Sequence, residues 1–269
     1  MLSAPQNKKL RIGDTDMYYV SFGHGEQPLV ILPGLGDGLK TVRGLAFPLS
    51  IKYKELLRDF KIYSFSRKNH LPDGYTTRDM AADQAEAMHQ LGIERAHLMG
   101  ISMGGMISQY LAIDHPELVE RLVLVATLSE PNAVMDDSAK TWSDLARKHQ
   151  FQQLMTDIAR RMYTDAFFKK SEWVLPVTGI VGEPRSYDRY LVMAEACRNH
   201  NACPELHKIQ APALVLGGEL DITLGPDASR VLADRIPSAE LYMYQEYGHG
   251  LYDEAKDFEQ RVHAFLTGQ

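Results

Sequence analysis

The chain has 269 residues, of which 45% are hydrophobic and 24% charged, the balance of an ordinary globular protein with a buried core. A formal charge of −6 argues against nucleic-acid binding, which calls for clustered positive charge. No apolar run approaches the roughly 18 residues of a membrane span, and Met1–Lys9 lacks the apolar segment of a secretory signal, so the expected location is the cytoplasm, with no membrane partner.

In chain order, Met17–Phe22 and Leu29–Leu32 flank the turn sequence Gly23-His24-Gly25 and predict an antiparallel hairpin. Thr76 with Asp79 marks a helix start, Met80, Ala81, Ala85, Met88 and Leu91 its apolar side, and Gly92 its stop. Ala96–Met99 is a short apolar run. After Ser102, Met106, Ile107, Tyr110 and Leu111 repeat at helical spacing until Asp114-His115-Pro116. Leu29–Leu32 and further runs at Leu122–Ala126 and Ala213–Leu216 suit strands of a parallel sheet buried on both faces, and Leu241–Tyr244 reads as the last strand. From about residue 129 to 205 no such run appears. That stretch is helix-like, with Trp142, Phe151, Met155, Ile158, Met162 and Phe167 as apolar markers. The pattern predicts an α/β core over residues 1–128 and 206–269, with a helical cap or lid at 129–205 inserted between core strands, above the carboxyl edge where open α/β folds bind ligands.

Gly100-Ile101-Ser102-Met103-Gly104 matches G-x-S-x-G between a strand and a helix. Glycines two before and two after let strand and helix converge around a serine held in a tight turn. The hydroxyl then sits at the positive end of the helix dipole. Serine needs a base. His249, flanked by Gly248 and Gly250 on a loop after the last strand, is the candidate; His24 lies in a turn and is expected to be exposed, His97 lies in a strand and His115 at a helix end. The orienting acid should follow Ala213–Leu216. Asp221 is the choice, because a bend at Gly217-Gly218 would leave it projecting and Ile222 could bury beside it. Glu219 is the second candidate, and Asp227 reads as a helix start. Oxyanion donors are expected at the Met103 N–H and, from the glycine-rich loop Pro33–Gly38, at the Leu35 N–H.

These residues give the chain a resemblance to the α/β-hydrolase superfamily, in particular to members with a helical cap. It covers roughly 10–128 and 206–266 and rests on Leu32-Pro33-Gly34-Leu35-Gly36, Gly100-Ile101-Ser102-Met103-Gly104-Gly105, His115-Pro116-Glu117-Leu118-Val119, Gly218-Glu219-Leu220-Asp221 and Gly248-His249-Gly250. The resemblance implies a mostly parallel eight-stranded sheet, a Ser102–His249–Asp221 triad and a pocket beneath the cap. Two departures stand out. Pro33-Gly34 replaces the family's usual His-Gly, removing a histidine that often orders the oxyanion loop, and Ile101 stands where many relatives have histidine. The serine excludes the mechanism of relatives with an aspartate nucleophile.

The expected function is hydrolysis of a small carboxylic ester, lactone or thioester through an acyl-enzyme on Ser102, by analogy with enol-lactonase-like and carboxylesterase-like members. Two alternatives stay open: carbon–carbon cleavage of a diketone by the same triad, and a non-catalytic receptor of the same fold. No cofactor or metal is expected. The partner is a small-molecule substrate, and a homodimer is left open. Gly34, Trp142, Phe167 and Trp173 are candidate substrate contacts, with Tyr163, Phe168 and Tyr190 as further large cap residues, each also suited to packing between helices. Cys197 and Cys203 are read as free thiols, a disulfide being the alternative.

Overall fold

A computed structural model describes residues 4–171 and 182–269. Its strands are β1 (Gln6–Ile12), β2 (Thr15–Phe22), β3 (Gln27–Leu32), β4 (Phe60–Lys68), β5 (Ala96–Ile101), β6 (Val119–Val125), β7 (Ala213–Gly218) and β8 (Ala239–Tyr244). They form one eight-stranded sheet in the order β1-β2-β4-β3-β5-β6-β7-β8. The pairs β1–β2 and β2–β4 are antiparallel, and from β4 through β8 every neighbour is parallel.

The expected hairpin between β2 and β3 does not form. β4 lies between them, and the hairpin partner of β2 is β1 across the turn at Gly13-Asp14. Gly23 and Gly25 serve close approach instead. A Cβ on Gly23 would lie 2.4 Å from the Phe60 carbonyl oxygen, and one on Gly25 would lie 2.0 Å from the Asp59 carbonyl carbon. At these two positions the segment can pass the start of β4 only without a side chain. His24 within it is exposed, as expected.

Alternate residues of the central strands feed two apolar layers. Val30, Leu98, Leu122, Leu124 and Val215 face one side; Leu29, Ile31, Met99, Val123 and Leu216 face the other. This period of two is why these strands read as continuous apolar runs. On the first side pack α2 (Thr77–Gln90), α3 (Met103–Asp114) and α8 (Asp227–Arg235); on the second, α1 (Ala46–Lys52) and α10 (Phe258–Thr267). The start of α2 is the predicted capping box, with the Thr76 hydroxyl accepting from the Asp79 N–H and the Asp79 carboxylate from the Thr76 N–H.

Between β6 and β7 the chain forms α4 (Ala133–Arg147), α5 (Phe151–Met162), α6 (Asp165–Ser171) and α7 (Asp188–Arg198). The Asn132 amide anchors this insertion at both ends of its side chain. Its oxygen accepts from the Met135 N–H at 2.8 Å and its nitrogen donates to the Leu224 carbonyl at 2.8 Å. A further short helix, α9 (Leu251–Glu254), follows the His249 loop. Among the described residues no helix is long and apolar enough to cross a membrane. Cys197 is buried, Cys203 is partly exposed, and both are free thiols.

Candidate active site

Because β3, β5, β7 and β8 run parallel, the segments that follow them emerge at one sheet edge. Ser102 directly follows β5 and is the N-cap of α3 with φ 54° and ψ −120°, a conformation that L-residues hold only when their surroundings impose it. Here the surroundings do so on both sides. The Ser102 N–H donates to the Val125 carbonyl at 2.8 Å. Its carbonyl accepts from the Gly105 N–H at 2.8 Å and from the Thr127 hydroxyl at 2.8 Å. A Cβ on Gly104 would sit 1.9 Å from the Leu32 carbonyl oxygen, and one on Gly100 would meet the Gly104 carbonyl oxygen at 2.5 Å, so side chains at these two places would push strand and helix apart.

The His249 Nε2 lies 3.0 Å from the Ser102 Oγ, and its Nδ1 lies 2.9 Å from the Asp221 Oδ2. Asp221 and His249 are buried, while Ser102 is partly open to the cavity described below. A carboxylate on Nδ1 holds the imidazole proton there, leaving Nε2 to accept from the serine hydroxyl. The other carboxylate oxygen of Asp221 accepts the N–H groups of Thr223 and Leu224 at 2.8 and 2.9 Å, which fixes its plane. Glu219 points elsewhere: its carboxylate takes Arg230 and Gln245.

The anticipated reasons for choosing Asp221 need correction. Ile222 is 59% exposed rather than buried, and Gly217-Gly218 end β7 rather than bend it. These glycines make room. A Cβ on Gly218 would meet the carbonyl oxygens of Tyr247 and Gly248 at 2.4 and 2.5 Å, so the loop with His249 can lie directly on the one with Asp221.

Leu35 opens the 3-10 turn Leu35–Gly38 after β3, and Met103 is the first residue of α3; first-turn N–H groups have no acceptor within their own helix. Gly34 lies against the serine, since a Cβ there would be 3.3 Å from the Ser102 Cβ. In place of the missing histidine, the loop carries Asp37, whose carboxylate accepts the Arg67 N–H at 2.9 Å and an Nη–H of Arg189. The Arg67 guanidinium donates to the Pro33 carbonyl, and burial draws its pKa down to about 10. Sequence reasoning missed Asp37, Arg67 and Arg189. Their partners lie far away in the sequence and left no local signal there.

A cavity of about 670 Å³ opens onto Ser102 and His249, a size typical of small-molecule sites. One wall is the loop with Gly34 and Leu35. The opposite wall is Trp142 of α4 and a face of α5 made by Phe151, Met155, Ile158, Ala159 and Met162; Tyr163, Tyr190 and Tyr252 complete it. Of the candidate contacts, Gly34 and Trp142 line the cavity. Phe167 does not: its ring packs on Tyr163, with centroids 4.6 Å apart. Trp173 lies outside the described residues. The α5 wall is visible in the sequence as apolar markers at helical spacing, and its place on the cavity comes from the fold. Lys40, exposed at the mouth, is the one Lys or Arg among the described lining residues. No group of three or more His, Cys, Asp or Glu side chains among the described residues is placed to hold a metal ion.

Comparison with known proteins agrees with this architecture. A Pseudomonas syringae pv. syringae (strain B728a) protein named "Putative carbamate hydrolase RutD" is 26% identical over 265 residues, covering 91% of this chain and 96% of its own. The 3-oxoadipate enol-lactonase 2 of Acinetobacter baylyi is 23% identical, covering 94% of each chain. The crystal structure of the enol-lactonase from Burkholderia xenovorans LB400 superposes with a TM-score of 0.82 at 24% identity, over 97% of this chain and 100% of that one. The family model described as alpha/beta hydrolase fold matches residues 27–256, most of the chain, and the protein belongs to that family.

Proposed function

We propose that the protein is a serine hydrolase that cleaves a small carboxylic ester, lactone or thioester whose bulk is uncharged and apolar, with the inserted helices as a cap over the substrate. The observation that carries this reading is the hydrogen-bonded chain Ser102–His249–Asp221 at the rim of that cavity.

The chemistry follows from the geometry. The Ser102 Oγ bonds to the carbonyl carbon as its proton passes to the His249 Nε2, and Asp221 stabilises the resulting imidazolium without taking the proton. The N–H groups of Leu35 and Met103 receive the oxyanion, assisted by the positive end of α3. Collapse breaks the bond to the leaving oxygen or sulfur, which takes the proton from His249. Water, deprotonated by the same imidazole, then releases the acid and restores the serine. The relatives' names fit this class, because a carbamate and an enol lactone both present a carbonyl carbon bearing a heteroatom leaving group. The apolar α5 wall supports an uncharged substrate body.

A fluorophosphonate probe should label the wild-type protein and not Ser102→Ala, and that substitution should lower hydrolysis of p-nitrophenyl butyrate by on the order of 10⁴-fold or more. A wild-type protein that resists the probe, or a variant that still takes it, would overturn the proposal.

A further inference from the structure

The oxyanion loop is held from an unexpected direction. Arg189 belongs to α7, in the insertion, yet its guanidinium reaches the sheet edge. Its Nε–H donates to the Lys68 carbonyl at 3.1 Å and an Nη2–H to the Arg67 carbonyl at 2.9 Å. Further N–H groups reach the Asp37 carbonyl and the Asp37 carboxylate. The side chains of Arg189 and Asp37 are 12% and 1% exposed, so the pair is shielded from water, and leaving either charge without its partner there costs far more than at the surface. The backbone of α7 also presses on the loop, for a Cβ on Gly38 would lie 2.8 Å from the Tyr190 Cα. On the inner side, Arg67 completes the brace through Pro33.

We propose that Arg189 is a positioning residue that sets the Leu35 N–H for the oxyanion, making the oxyanion hole complete only while α7 is seated on the sheet edge. This rests on the serine-hydrolase reading above. Among the described residues the loop has no second charged anchor on its outer side: Asp37 N–H donates to Gly34 and the N–H groups of Leu39 and Lys40 to Gly36, all within the loop itself. Displacement of a reacting or stabilising group by about 1 Å costs on the order of 100-fold in rate, and loss of one oxyanion donor costs about 10²–10³ in kcat.

The test is Arg189→Lys, which keeps the buried positive charge and loses the planar fork that serves several acceptors together. Arg198→Met on the same helix, where the side chain pairs with Asp136 and Glu195 near the surface, is the control. For Arg189→Lys we expect kcat on p-nitrophenyl butyrate to fall on the order of 10- to 100-fold, with KM within about twofold and a thermal midpoint near wild type. The rate ratio of the ester to its thionoester should collapse, since sulfur accepts N–H groups poorly and the ratio reports on the hole itself. Arg198→Met should move neither quantity. Unchanged kcat and ratio in Arg189→Lys would overturn the proposal. So would a loss of kcat that tracks the thermal midpoint and leaves the ratio intact. If the wild-type protein cleaves neither ester, the functional reading fails, and amide exchange decides the positioning separately. Faster exchange at residues 34–38 in Arg189→Lys supports it; unchanged exchange defeats it.

Discussion

At Asp221, burial and hydrogen bonding act together. The carboxylate is 5% exposed and spends one oxygen on two backbone N–H groups and the other on His249. Replacing it with asparagine leaves the shape and puts an amide beside Nδ1, which favours the wrong imidazole tautomer. We therefore expect Asp221→Asn to lower kcat by on the order of 10⁴-fold with little change in fold. Glu219→Gln should leave kcat within about twofold, because that carboxylate is engaged by Arg230 and contributes only a surface pair. Steady-state kinetics of the two variants discriminate between the carboxylates. A large loss in Glu219→Gln would mean that the loop rearranges in solution.

At the scale of elements, α5 divides between cavity lining and packing. Leu154 is buried in the core away from the cavity, whereas Phe151, itself also part of the core, and Met155, Ile158 and Met162 line the cavity, positions that share a helix face. Ile158→Trp should fill cavity space. We expect kcat/KM for p-nitrophenyl octanoate to fall at least about tenfold while that for the acetate stays within about twofold, the scale that a few methylenes command in an apolar pocket. Equal loss on both esters would place the acyl chain elsewhere. The elements also show what a sequence can and cannot disclose. Strands β3, β5, β6 and β7 announce themselves because both faces are apolar, and the loop glycines with Ser102 and His249 announce the site. Strand β4 does not, because it buries Ser64, Ser66 and Arg67, whose partners are set by tertiary contact: Ser66 accepts the Val42 N–H and Arg67 reaches Pro33. Strand β1, QNKKLRI and largely exposed, reads as a polar segment because it is an edge, where charge guards against further pairing. Missing both, a reader of the sequence joins β2 to β3. The brace by Arg189 is hidden for the same reason, since it links residues 152 positions apart.

For the molecule as a whole, acid sensitivity should be set partly by His200. Its ring is buried against Tyr110, with Nδ1 2.9 Å from the Thr77 hydroxyl and Nε2 3.3 Å from the Gln109 amide oxygen. Burial draws its pKa from 6.5 to about 3. The folded protein thus keeps this imidazole neutral while the unfolded chain protonates it, so the unfolded state binds the extra proton between those two values. Stability from this group is complete above about pH 6.5 and is lost as pH falls towards 3, on the order of 1 kcal/mol per pH unit. Urea unfolding at pH 7 and pH 5 should show that slope, and His200→Gln should flatten it; an equal slope in both proteins would remove His200 from the account. The route of the chain has a last consequence. The side chains of the hydrogen-bonded chain return to the sheet edge at residues 102, 221 and 249, whereas much of the apolar lining of the cavity belongs to one uninterrupted helix bearing none of those groups. If the proposed hydrolase reading holds, diet and cutlery are encoded apart: exchanging residues 151–162 for another helix of like length should change which esters are accepted while leaving labelling of Ser102 by a fluorophosphonate intact.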